Sequence, residues 1–270
     1  MVFQKIYTRI DAVLQQHRFQ HLIRQSKYRH QLSELPSGLL PHWQRSAKNE
    51  FTGIPSDAVF FIQAAEGLMM FFDCVRRSEH ACGLPSKAAD SIWHAWLSLP
   101  QSDFKAQTVE RFCRQHFGRE IPHVEATQME SDMSAALAAT LLQLRRIAGK
   151  DPLSHFAPDL FTLDQRLKMP RGYSYQMQGG RIGWQNMSLL GKGTGTTFYP
   201  SSFEPAQLMA LGLITAPMLE LHQRKQAEQA AQQGGSCGSS CGMQTSSCDS
   251  GSDGGGDGGS CGSGCGGGCS

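Results

Sequence analysis

Residues 56–75 read SDAVFFIQAAEGLMMFFDCV, and the fold is decided there. Val59, Phe60, Ile62, Ala65, Leu68, Met69, Phe71, Phe72 and Val75 put apolar side chains on most sides of a helix, the pattern of a helix enclosed by others. Ser56 is the expected N-cap, since its hydroxyl can accept from the first free amides. Met and Phe at this spacing are packing groups before they are a cofactor box. Downstream, Gly83-Leu84-Pro85-Ser86 turns into a helix over residues 87–99, with Ala88, Ile92, Trp93 and Trp96 on one side and Pro100 closing it. Further helices are expected over residues 104–117, ended by a left-handed Gly118, over 130–147, closed by Gly149 and Pro152, and over 159–167.

Upstream, Phe3, Ile6, Ile10, Val13, Leu14, His17 and His21 keep helical spacing, with Lys5, Arg9, Arg18 and Arg24 on the other face. Pro36, Gly38 and Pro41 are expected to end that helix in a loop. Eight Lys/Arg against Asp11 and Glu34 in residues 1–48 make a basic arm. A solvated helix face is the plain reading, and contact with nucleic acid or an anionic membrane surface is the sharper one. Residues 153–202 carry too many Gly and Pro for long helices, so irregular chain is expected there, with a hairpin around Gly179-Gly180. A last helix should run from Pro205 to about Gln232, kinked or split at Pro217.

The 270 residues carry a net charge of +2, which excludes a strongly polyanion-binding protein on charge alone. Fifteen of the 29 glycines and six of the nine cysteines fall after Gln233, so the last residues cannot form a packed core and disorder is expected. No apolar window of membrane-spanning length and no leader-like N-terminus is evident, which gives a cytoplasmic expectation. The domain reading is 1–232 globular and 233–270 tail.

One constellation stands out: Asp90, Trp93 and His94 on one helix, Cys113 and His116 on the next, then His123. Asp90 and His94 are four residues apart and Cys113 and His116 three, so each pair shares a helical face. Two antiparallel helices joined through Pro100 would bring the faces together. Thiolate and imidazole suit zinc or another soft metal, with the Asp90 carboxylate orienting His94. A buried histidine beside an inert core cysteine is the plain alternative. Gly191-Lys192-Gly193-Thr194-Gly195-Thr196-Thr197 lacks P-loop order and reads as a flexible loop. Neither a G-x-S-x-G elbow nor an H-E-x-x-H helix occurs.

Asp90-Ser91-Ile92-Trp93-His94, Phe104, Phe112-Cys113, Phe117-Gly118 and His123, with Pro158-Asp159-Leu160-Phe161-Thr162-Leu163-Asp164 and Pro170-x-Gly172, resemble the glycine-rich domain-containing protein-like family, bacterial members of which carry Gly/Cys-rich tails. The resemblance implies a mostly helical domain without an established activity and maps onto Asp90, Trp93, His94, Cys113, Gly118 and His123. His116 lies outside the shared pattern.

In the tail, Cys237, Cys241, Cys248, Cys261, Cys265 and Cys269 offer thiols to Zn or Cu(I). The same Ser/Cys/Gly composition also suits a precursor whose residues are enzymatically modified, or a plain interaction tail. The expected architecture is mainly α, an irregular helical bundle with a loop-rich or hairpin section and a disordered tail. The expected function is a non-enzymatic binding protein, with a protein the first partner expected, metal-linked through the tail or the His94/Cys113 cluster. Its rivals are a metal-dependent or His/Cys enzyme and a modified precursor.

Overall fold

Asp57, not Ser56, starts the central helix. Its carboxylate accepts from the backbone N–H of Val59 at 3.0 Å and of Phe60 at 2.9 Å. A cap serves amides two and three positions ahead, which from Asp57 are Val59 and Phe60, whereas Phe60 lies four positions past Ser56. The computed structural model describes residues 16–100, 107–124, 133–178 and 181–234. After helical residues 16–25 come α1 (Arg29–Ser33), α2 (Leu39–Glu50), α3 (Ala58–Arg77), α4 (Lys87–Leu97), α5 (Val109–Phe117), α6 (Met133–Ile147) and α7 (Asp159–Leu167). Strands β1 (Tyr173–Gln178), β2 (Arg181–Met187) and β3 (Gly193–Phe198) follow, then a 3-10 turn at Ser201–Phe203, α8 (Pro205–Ala210) and α9 (Ala216–Gly234). The protein is mainly α with one small antiparallel sheet.

Helix α3 packs against α1, α4, α5, α6 and α7, as its all-round apolar surface demands. By length and composition α3 could cross a membrane, contrary to the sequence expectation that no window reaches that standard, but 67% of the window is buried within the protein. Asp73 near its C-terminal end accepts from Arg76 at 3.0 Å, Arg77 at 3.1 Å and the Tyr28 hydroxyl at 3.3 Å. Burial alone would raise its pKa, and the two guanidinium groups hold it below the usual carboxylate value instead.

Helix α2 corrects the sequence reading most. Pro41 does not belong to a loop; it is the third residue of a helix, in the first turn where its missing N–H has no partner to lose. From α2, Trp43 enters the core with no exposed surface, stacks on Phe60 with ring centres 5.8 Å apart and donates to the Ser91 hydroxyl at 3.1 Å. The preceding helical stretch is also shorter than expected, because the chain turns at Ser26, whose hydroxyl accepts from Tyr28 N–H, before α1 begins. The part of the basic arm before residue 16, including Lys5 and Arg9, lies outside the described residues.

The N-terminus of α4 is fixed from a distance. Ser86 caps it locally by accepting from Ala89 N–H. Asp164 of α7 accepts from the Ser86 hydroxyl at 2.6 Å and from the N–H groups of Lys87 and Ala88 at 3.0 Å and of Tyr173 at 2.9 Å. One buried carboxylate thus joins α7, the start of α4 and the first strand. Gly172 has no Cβ for a physical reason, since one would sit 2.8 Å from the Asp164 Oδ2 atom.

The hairpin expected around Gly179-Gly180 is present in its flanks, β1 pairing antiparallel with β2 from Tyr173↔Asn186 to Gln178↔Arg181. Residues 191–197 are no flexible loop: from Gly193 they form β3, the mostly exposed third strand, paired with β2 across an irregularity between Trp184 and Asn186. Alternating Thr and Gly gave no apolar signal because neither face of this strand is buried. Helix α5 starts at Val109, where the Thr108 hydroxyl accepts from Arg111 N–H, later than the expected residue 104. The last expected helix is split before Pro217: α8 ends at Ala210, Gly212 takes a φ of 69°, and Pro217 becomes the second residue of α9.

The chain divides into two compact units, Met1–Lys225 and Gln226–Ser270. In the second, residues 226–234 are helical; Cys237, Cys241, Cys248, Cys261, Cys265 and Cys269 lie outside the described residues.

Candidate metal centre

On α4 the four-residue spacing of Asp90 and His94 puts both side chains on one face, as the sequence requires. The chain after Gly118, turned by its φ of 75°, carries His123 back onto that face. His94 Nε2 and His123 Nε2 lie 3.1 Å apart, His123 Nε2 and Asp90 Oδ1 3.4 Å, and His94 Nε2 and Asp90 Oδ1 3.5 Å. Three donors bound tetrahedrally at zinc–ligand lengths are separated by about 3.3 Å. The triangle already has those dimensions.

Glu50, the last residue of α2, completes the arrangement. Its Oε1 lies 2.6 Å from His94 Nδ1. An imidazole that donates from Nδ1 to a carboxylate presents the bare lone pair of Nε2 to the triangle, the usual support of a metal-bound histidine. Sequence reasoning missed Glu50, which sits 40 residues before Asp90 with no periodic relation to it. It assigned the orienting part to Asp90, which instead stands among the three converging donors.

Trp93 lies edge-on to His123, with ring centres 4.7 Å apart. Its own indole N–H is buried without an acceptor among the described residues. Cys113 does not join the group. It is fully buried on α5, which packs on α3 and meets α4 through Phe112 against Trp96, and burial pushes its thiol up to about 12, with Glu110 adding to the shift. The expected meeting of the Cys113 and Asp90 faces fails because α4 meets α5 through Trp96 and Phe112, while Cys113 is sealed in the core and Asp90 joins His94 and His123. His116 goes elsewhere too: its Nε2 lies 3.1 Å from Glu34 Oε2, while His30 Nε2 lies 3.3 Å from Glu34 Oε1. The i, i+4 spacing of His30 and Glu34 was the readable signal for that second cluster.

The triangle opens on a cavity of about 1100 Å³, at the upper end of small-molecule sites. Phe51, Phe71 and Trp93 form one wall and Tyr173, Trp184 and Phe198 of the sheet another. Arg171 lines it from a φ of 54°, a conformation that favours glycine and costs an arginine about 1 kcal/mol. Its N–H donates to Ser188 O at 3.1 Å and its carbonyl accepts from Lys87 Nζ at 2.8 Å.

Cys82 also lines the cavity, and nothing in its sequence surroundings marked it. The neighbouring Cys74 thiol outweighs burial and holds the Cys82 thiol below the usual cysteine value, with Ser78, Thr140 and Arg119 helping. Iodoacetamide at pH 7.5 should therefore alkylate Cys82 at least roughly tenfold faster than Cys113, as read by peptide mass mapping. Equal rates at the two positions would contradict the arrangement.

The model of the UCP032817-like family matches residues 57–189, a span that contains Asp90, His94, His123 and Asp164 but neither Glu50 nor Phe198. No curated protein and no solved structure is significantly similar to the chain.

Proposed function

We propose that this chain is a metal-dependent small-molecule-binding protein, whose divalent transition metal is held by Asp90, His94 and His123 and faces the cavity. One observation carries the reading: three donor atoms converge at 3.1, 3.4 and 3.5 Å. With a neutral His94 donating from Nδ1 to Glu50, a proton on His123 Nε2 can serve only one of the other two acceptors, His94 Nε2 or Asp90 Oδ1. A cation satisfies all three. Two His and one carboxylate suit zinc or ferrous iron, and three protein ligands leave coordination positions for a ligand or a water whose acidity the metal raises. That supports the enzymatic alternative as much as plain binding, since a three-ligand site is the catalytic rather than the structural type.

The tail offers thiols of its own, so the test separates the two sources. The full chain with all six tail cysteines replaced by serine should retain one equivalent of zinc after dialysis, read by elemental analysis. His94→Ala or His123→Ala in that background should lose it, with an affinity decrease of at least about a hundredfold. Glu50→Gln should weaken binding by about tenfold or more without abolishing it, because it only orients His94. Zinc that stays in the histidine variants, or is absent from the tail-serine chain, would refute the assignment; in the second case a metal content confined to the unaltered chain would return the metal to the tail.

A further inference from the structure

The polar groups that the cavity wall leaves without partners are mostly of one kind. Trp93 lines the cavity, and its buried indole N–H has no acceptor among the described residues. Arg171 and Arg119 line the cavity, and neither guanidinium is paired with a carboxylate among the described residues. Asp90 and Glu50, by contrast, already face the histidines. Glu79 is the one lining carboxylate left without a cation among the described residues, and it is exposed. A metal ion at the triangle adds a further electrophile. Each of these groups calls for an acceptor oxygen, and together with the arginines they call for a negative one.

Arg171 stands on the metal side of the cavity. Lys87, three residues before Asp90 on α4, has its ammonium committed to the Arg171 carbonyl at 2.8 Å and lies 4.6 Å from the centre of the Tyr173 ring. These ties hold the Arg171 backbone at its φ of 54° while leaving its guanidinium unspent. A non-glycine residue kept in that region needs a reason, and an exposed arginine presented at the cavity on which the donor triangle opens supplies one.

The apolar side of the cavity selects shape. Tyr173 and Trp184 meet edge to face at 5.2 Å, and Trp184 meets Phe198 at 5.8 Å, in a row along the sheet. Phe198 is 56% exposed although it belongs to this row. A large aromatic left open at a cavity mouth is a surface that a flat apolar ligand would cover.

We propose that the cavity takes a small molecule with a flat apolar body and a carboxylate, the body lying along the Tyr173–Trp184–Phe198 row and the carboxylate reaching Arg171 and the metal's open position. The inference rests on the metal reading for the second of those two contacts and on Arg171 for the first.

The test uses the full chain loaded with zinc, its metal content measured in the same sample, and two probes of equal shape, 2-naphthoate and the neutral 2-naphthamide. Titration by calorimetry should show naphthoate binding at least roughly tenfold tighter than naphthamide. Arg171→Gln should cut that preference by at least about threefold, the metal contact keeping the remainder, and leave naphthamide binding unchanged; Gln carries the same backbone strain, so circular dichroism should report an unaltered fold. Equal affinity for the two probes, no binding of either, or a naphthoate preference that Arg171→Gln leaves unaltered overturns the ligand class. Metal bound at the histidines without a naphthoate preference overturns this inference and leaves the metal centre standing. A preference that depends on Arg171 in a chain that holds no zinc does the reverse.

Discussion

Asp164→Ala should lower the stability of the folded chain by about 4 kcal/mol or more, measured by urea denaturation followed by circular dichroism. The carboxylate accepts from Ser86, Lys87, Ala88 and Tyr173, and each donor stranded in the interior costs about 1–3 kcal/mol, less what entering water recovers. Asp164→Asn keeps one acceptor oxygen and puts an amide donor where backbone donors already point, so about half of that loss is expected. Burial pushes the Asp164 carboxyl up against the four donors that pull it down. The sign follows: with the folded value above the unfolded one, its contribution is full below the unfolded value and declines as pH rises through the folded one. The gap between wild type and Asp164→Asn should accordingly narrow with rising pH. Because these bonds set the start of α4, which carries Asp90 and His94, metal affinity should fall in Asp164→Asn although Asp164 lies outside the donor triangle. A loss below about 1 kcal/mol in the alanine variant would show that α4 is held by something else.

Trp43→Ala should cost about 3–5 kcal/mol. The side chain has no exposed surface, packs on Phe60 and Phe61, and is wedged between α2, α3 and α4, so its removal leaves a cavity that neighbouring helices cannot close. For a unit of 225 residues, that corresponds to a melting temperature lower by about 10 °C. Trp43→Phe, which keeps most of the apolar volume and loses the bond to Ser91, should recover more than half of the loss. An alanine variant that melts within about 2 °C of wild type would mean that α2 is an appendage rather than part of the core.

The same tryptophan shows why α2 escaped a reading of the sequence. Leu39, Trp43 and Ala47 do keep four-residue helical spacing, but the stripe is short, and Pro36, Gly38 and Pro41 look like punctuation. Proline in a first turn costs nothing that a helix start has not already given up, and only the docking of Trp43 decides between helix and loop. The three-residue offset of Cys113 and His116 was read correctly as a shared face of α5, yet a face says nothing about which neighbour it meets. Packing turned Cys113 into the core against α3 and set His116 beside Glu34.

What the chain settles locally is the enclosed helix from Ala58 to Arg77, the Asp90/His94 pair on one face of α4, the left-handed stop at Gly118 and the short α7. These follow from periodicity, capping and the backbone freedom of glycine, all of which act within a few residues. Bringing Glu50 to His94, His123 to Asp90 and Asp164 to the first turn of α4 joins residues 44, 33 and 76–78 positions apart. Such contacts form only when separate helices bury their apolar sides together, and no interaction within a few residues encodes which polar groups that burial leaves face to face.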